Sequence, residues 1–187
     1  MISRSEALNL LKRYVKDEKI LKHCIAVEAI MRGLARRLGE NEELWGLVGL
    51  LHDIDYDYVG RDMSRHGLEA LNILKGLLPE EALEAIAGHN ERNGFEVKSE
   101  YAKKLLHALR AADHASGLIV ATALVMPHKK LDEVKLDTLL RKFKSKDFAR
   151  GVDRNRILEI EKLGLKLEEF LQLALESMKS VSSELGL

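Results

Sequence analysis

Three segments of this chain place an ionisable side chain where a helical pattern asks for an apolar one. His52 and Asp53 adjoin at the end of the apolar run LWGLVGLL. His23 shares a stripe with Val27, Ile30 and Leu34, and Asp113 shares one with Leu106, Leu109 and Val120. A carboxylate on the inward face of a helix is costly unless a cation or hydrogen bonds compensate it. Neighbours on a helix point about 100° apart, but at a fraying helix end both can turn toward one ion. One divalent ion bound by His23, His52, Asp53 and Asp113 satisfies all of these groups together. Imidazole nitrogen with carboxylate oxygen suits Mn, Fe, Co, Ni or Zn, and admits Mg. A lone buried histidine is more often a hydrogen-bonded core residue. The joint pattern favours ligation, because His52-Asp53 and Asp113 need the same explanation. Cys24 adjoins His23 but points to another part of the helix, and reads as core.

Helices must carry these groups inward, and apolar residues recur at spacings of three and four throughout. Ser3 with Glu6 predicts a capping box for a first helix over 4–16. A second helix runs over 18–38 and stops at Gly39, a natural residue for a helix end. A third starts near Asn41 and reaches LLHDID, with Leu44, Val48 and Leu51 inward and Gly46 and Gly49 allowing close approach. Residues 53–62 read as a loop, with Ser64 as cap of a fourth helix. Pro79 suits the first position of a fifth helix, PEEALEAIAGHNE. NERNGFEV is a loop, and Ser99 opens a long helix to about Met126. Residues 128–187 read as three more helices, the last being LEEFLQLALESMKSVSSEL. There is no strand-like alternation, so the expected class is all-α. The expected organisation is a metal-binding helical domain over 1–126, with 127–187 as a helical extension packed on it into one structural domain.

The composition sets limits. Of 187 residues, 46% are hydrophobic, enough for a sizeable core, and thirty residues of each sign leave no net charge to attract a polymer. Cys24 is the single cysteine, which excludes an intrachain disulfide and suits a reducing cytoplasm. The opening MISRSEALNLLKRYVKDEK lacks a signal-peptide apolar core, and no segment has the length of a membrane span. The expectation is a cytoplasmic protein with no membrane partner. Residues 127–156 hold ten Lys or Arg against five Asp or Glu, a local net of about +5. A solvated face is the plainer reading of that segment. The functional one is a phosphate-receiving rim, with Lys129 and Lys130 following the helix that carries Asp113. Without interleaved aromatics, nucleic acid is not an expected partner.

The ordered set His23, His52-Asp53, Asp113 resembles the HD superfamily of metal-dependent phosphohydrolases. The resemblance runs from HCIAVEAIMRGLA through GLLHDIDYD to RAADHASGL, about half the chain. It implies an HD-domain helical bundle with those four residues as ligands. RHGLEALNIL resembles the segment after the pair in HDIG-like members, which brings in His66. AIAGHNERNG resembles the place where two-metal members supply a further ligand, which brings in His89. The resemblance thus implies one or two divalent ions, with Asp53 placed to bridge. The plain alternatives are a first-turn histidine facing water for His66 and a dipole-favouring helix-end histidine for His89. The Gly-Lys that usually follows the pair is Asp-Tyr-Asp here. His107, His114 and His128 fall outside the pattern and read as non-ligands. Asp55 and Asp57 are either loop solvation or, in one case, a proton carrier, with Asp57 ahead of Asp55.

The chemistry implied is hydrolysis of a phosphate ester, with Asp53 and Asp57 in catalytic roles and Arg92, Lys129 and Lys130 on the substrate. A bound divalent ion acidifies water enough to make a nucleophile near neutral pH. The expected substrate is a small phosphorylated molecule, nucleotides first through the resemblance. Two rivals use the same ligands: a di-iron oxygenase, and a ligand-binding or regulatory module without turnover.

Overall fold

The computed structural model describes residues 1–187, which form helices and turns and no strand. Ser3 opens α1 (Arg4–Tyr14) through the reciprocal box its spacing predicts: its hydroxyl accepts from Glu6 N–H at 3.2 Å, and its N–H donates to Glu6 at 2.9 Å. Asp17 caps α2 (Glu18–Leu38), which ends at Gly39 in the left-handed region, φ 71°. Asn41 caps α3 (Glu42–Leu51). The chain then runs through successive turns from His52 to Gly67 before α4 (Leu68–Leu74) and α5 (Glu80–Gly88). Ser99 caps α6 (Glu100–Leu124), the longest helix at 25 residues.

Beyond α6 lie α7 (Leu136–Lys144), α8 (Arg154–Leu158), a 3₁₀ segment over Glu159–Leu163, α9 (Leu167–Lys179) and α10 (Ser182–Leu185). The three helices expected over 128–187 are therefore four, because the last one breaks at Ser180–Val181 before α10. Two expected starts also move. Ser64 bonds Asp62 within a turn, at 2.7 and 2.9 Å, so α4 begins only after Gly67. Pro79 is the cap of α5 with extended ψ 153°, one position outside the helix.

Two helices form the frame. α2 packs against α3, α6 and α9, while α6 also touches α5, α7 and α8. The α2–α3 contact is close because of Gly49, where a Cβ would stand 2.9 Å from the Glu28 Cα. Val27, Ile30, Leu34, Trp45, Leu51, Ile86, Leu109 and Phe170 lie in one buried cluster. Each such side chain contributes about 1.5–3 kcal/mol on burial. Residues of α9 belong to the same cluster as α2, so the last third of the chain leans on the frame that carries the histidines. No helix is long and apolar enough to cross a membrane.

Candidate metal centre

Six polar side chains converge where α2, α3, α5, α6 and the turns after α3 meet. His23 comes from the second turn of α2, Asp113 from mid-α6, and His52 and Asp53 from the end of α3. His66 stands just before α4, and His89 is the cap residue at the end of α5. Around the first centre, His23 Nε2 lies 3.0 Å from Asp113 Oδ1, 3.3 Å from His52 Nε2 and 3.5 Å from Asp53 Oδ2. His52 Nε2 is 3.3 Å from the same Asp53 Oδ2. Around the second, His66 Nε2 and His89 Nε2 are 3.1 Å apart and lie 3.1 and 3.3 Å from Asp53 Oδ1. Asp53 thus gives one oxygen to each group.

Each imidazole is oriented through its other nitrogen. His52 Nδ1 donates to Gly49 O at 2.7 Å, and His89 Nδ1 to Ile86 O at 2.5 Å. Gly49 O is a last-turn carbonyl that the helix end leaves without a backbone partner, while Ile86 O accepts the His89 ring N–H in addition to the His89 backbone N–H at 3.4 Å. His66 Nδ1 donates to Asp55 at 2.7 Å. Ser116 Oγ donates to Asp113 O at 2.7 Å and lies 3.3 Å from His23 Nδ1, which can donate to it. With all four Nδ1 atoms protonated, the Nε2 lone pairs point inward, and two pairs of them face each other at 3.3 and 3.1 Å. Facing lone pairs repel unless a cation lies between them. Ligands about 2.1 Å from one ion are roughly 3.0 Å apart at right angles and 3.4 Å apart in a tetrahedron. Most donor spacings lie at 3.0–3.5 Å, near those values, with His52 Nε2 to Asp113 Oδ1 wider at 3.9 Å, so both groups could hold a divalent ion, with Asp53 adjoining each.

The metal-free charges reinforce that fit. Burial opposes charging of His52, yet the Asp53 and Asp113 carboxylates prevail and push it up to about 9. Burial likewise opposes charging of His66, which hydrogen bonds to Asp53 and Asp55 push up to about 9. Asp53 is held well below the usual carboxylate range, against its burial, by His52, His66 and His89. Asp113 is lowered too, against its burial, chiefly by His23. The imidazoles occupy the place of the positive charge that an ion supplies.

Asp55, expected either to solvate a loop or to carry a proton, does not solvate a loop. It is fully buried, and beyond His66 it accepts Gly67 N–H at 2.6 Å and Ala70 N–H at 3.0 Å. It caps α4 from a distance while fixing the His66 ring. Gly67 makes this possible: its φ is 94°, and a Cβ would stand 2.8 Å from Ala87 O. Asn90 and Asn93 each donate to His66 O, at 2.9 and 2.8 Å, so the end of α5 is tied to the His66 backbone.

The other candidates divide. Arg92 lines a cavity of about 750 Å³ over the centre, together with Lys19, Tyr56, Glu91, His114, Asp153 and Arg156. Asp57 does not line it and pairs outward with Arg61 at 3.4 Å. Lys129 and Lys130 are not on it either. Asp113 precedes the end of α6 by eleven residues, about 16 Å along the axis. The chain then turns toward its last residue, where Leu131 N–H meets Leu187 O at 3.3 Å. From the basic segment 127–156 only Gly151, Asp153 and Arg156 reach the cavity. His107 and His128 pair with Glu159 and Glu133, and His114 accepts Asp153 N–H at 3.0 Å.

The family model described as HD domain matches residues 20–121, more than half of the chain and inclusive of all six converging side chains. No curated protein and no solved structure matches.

Proposed function

Because this chain belongs to the HD domain family, we propose that it is a metal-dependent hydrolase of a phosphate ester carried by a small molecule. The observation that supports this most directly is the Asp53 carboxylate, 3.1–3.5 Å from four imidazole nitrogens with one oxygen toward each pair. His23, His52 and Asp113 would hold one ion and His66 and His89 another, with the Asp53 carboxylate available to both groups. A divalent ion bound by these residues would supply positive charge for phosphoryl oxygens and acidify water near neutral pH. The remaining work belongs to the protein. Asp55 keeps the His66 Nε2 lone pair turned inward, and Gly49 O and Ile86 O do the same for His52 and His89. Lys19 and Arg92 at the cavity wall attract the phosphate and neutralise its outer oxygens.

The cavity walls also bear on the rest of the substrate. Tyr56 is the one aromatic ring lining it besides the histidines. The Arg61 guanidinium lies 5.2 Å from that ring centre, and the His66 ring meets it edge-on at 5.1 Å. A base has little free ring to stack on, so a hydrophilic substrate fits better than the nucleotide expected first.

The test is elemental analysis of the purified protein, then a phosphoester panel with each recovered metal. The expected result is close to two divalent ions per chain and phosphate release that does not need O₂. Failure to retain metal would overturn the reading, and iron with O₂-dependent turnover would replace it with an oxygenase.

A further inference from the structure

The cation best anchored at the cavity is none of those singled out by sequence. Arg156, in the short helix α8, is 23% exposed at its side chain. Its Nη1 donates to Glu159 at 2.5 Å, and its Nη2 pairs with Glu91. Glu159 is 7% exposed and is held in turn by His107 at 2.7 Å and by Arg110 at 3.6 Å. A buried carboxylate gripped from several sides is a rigid mount for a guanidinium. Lys19 and Arg92, by contrast, are exposed and have no carboxylate within ion-pair range.

Glu91 differs from Glu159 in the respect that matters. It is 59% exposed, lies two residues after His89, and lines the same cavity. Its carboxylate faces Arg156, with Arg110 Nη2 at 3.8 Å. An exposed carboxylate gains little net stability from such a pair. It holds the position that a more highly charged anion would take.

We propose that Arg156 is a phosphate-binding residue of the cavity, and that Glu91 occupies its free face until an anionic group of the substrate displaces it. The inference deepens the hydrolase reading, on which its biological meaning rests. A phosphate offers two oxygens to the planar guanidinium fork, where Glu91 also competes. Glu159 keeps the fork in place throughout, so little order is lost on exchange. Arg156 comes from outside residues 20–121, so the segment after α6 would complete a site whose metal ligands all lie within that stretch.

The test uses inorganic phosphate as probe, with binding to the metal-loaded full chain read by calorimetry. Glu91→Gln removes the competing charge at an exposed position and is expected to tighten phosphate three- to tenfold. Arg156→Ala is expected to weaken it at least tenfold, with Arg156→Lys between the two. Metal content should stay unchanged in all three. A merely structural ion pair predicts that both sides of the pair lose together. Unchanged or weaker phosphate binding by Glu91→Gln overturns the proposal, as does absence of phosphate binding by the wild type at millimolar concentration. Ester turnover is scored separately. Turnover with no tightening by Glu91→Gln sinks this inference alone, and tightening without turnover sinks only the hydrolase reading.

Discussion

Two carboxylates, Glu28 buried on α2 and Asp53 half-buried at the end of α3, have partners that differ in kind. Glu28, 3% exposed, is met by Arg4 at 2.7 and 3.0 Å and by Arg32 at 3.0 Å. Asp53 is met by imidazoles alone. Guanidinium is a permanent cation. The hydrogen bond to Glu28 raises Arg4 further, and Arg32 is raised despite partial burial, by its bonds to Glu43 and Glu28. No ion can replace such partners without leaving a charge stranded. Imidazole can give up its proton, and a metal can then take the proton's place. The first cluster locks the frame, whereas the second can exchange its counter-charge.

Substituting the two carboxylates tests this contrast most severely. Asp53→Asn removes the shared charge and the bridge, so metal content should fall to one ion or less. Turnover of the best substrate should drop at least 100-fold, with the fold intact by circular dichroism. Full metal and near-normal turnover in that variant would show that the chemistry lies elsewhere. Glu28→Gln should do the reverse. Breaking a buried ion cluster from one side destabilises by about 3 kcal/mol. Denaturant titration should show that loss while metal stoichiometry is unchanged.

Asp55→Asn sharpens the comparison within the metal centre. It leaves the first group of ligands alone and loosens the His66 ring. Affinity for one ion should fall about 10–100-fold while the other keeps its affinity, as metal titration can resolve. Equal weakening of both would mean that the two positions are not separable.

pH supplies a gentler test. In the metal-free protein His52 and His66 are both raised to about 9 from an ordinary 6.5. Their contribution to stability is full below about 6.5 and is lost as pH rises through about 9. Metal affinity should run the other way across this window, because binding must eject those protons. Thermal melts of chelated protein and calorimetric metal titrations at both ends should show opposite slopes. A flat metal affinity would contradict the exchange. The smallest effect expected is from Lys129→Ala and Lys130→Ala, which should alter phosphate binding by less than about twofold, since neither lines the cavity.

His23, His52 and Asp113 were legible in sequence because each interrupts an apolar stripe, and a polar group there demands a partner. The all-helical class followed from the same periodicity. Asp55 was not legible: its burial depends on the turn run from His52 to Gly67, where no period operates. Asn90 and Asn93 read as loop residues, although they tie that turn run to α5. Lys129 and Lys130 do not line the cavity, because they follow the end of α6 whereas Asp113 lies in its middle. Arg156 depends on how α8 and Glu159 dock on α6, which local pattern does not encode. Ser64 had the chemistry of a cap, but Asp62 took its hydroxyl into a turn and the helix start moved to Gly67.

The single cysteine, Cys24, leaves this chain without a covalent cross-link of its own. The ligand positions span residues 23 to 113 and draw together α2, α3, the turn run, α5 and α6. A cation bound there closes a loop of about ninety residues and several shorter ones inside it, and so does the mechanical work of a disulfide. Unlike a disulfide, it can be removed by a chelator and restored by mixing. Metal supply would therefore regulate how long the folded chain survives.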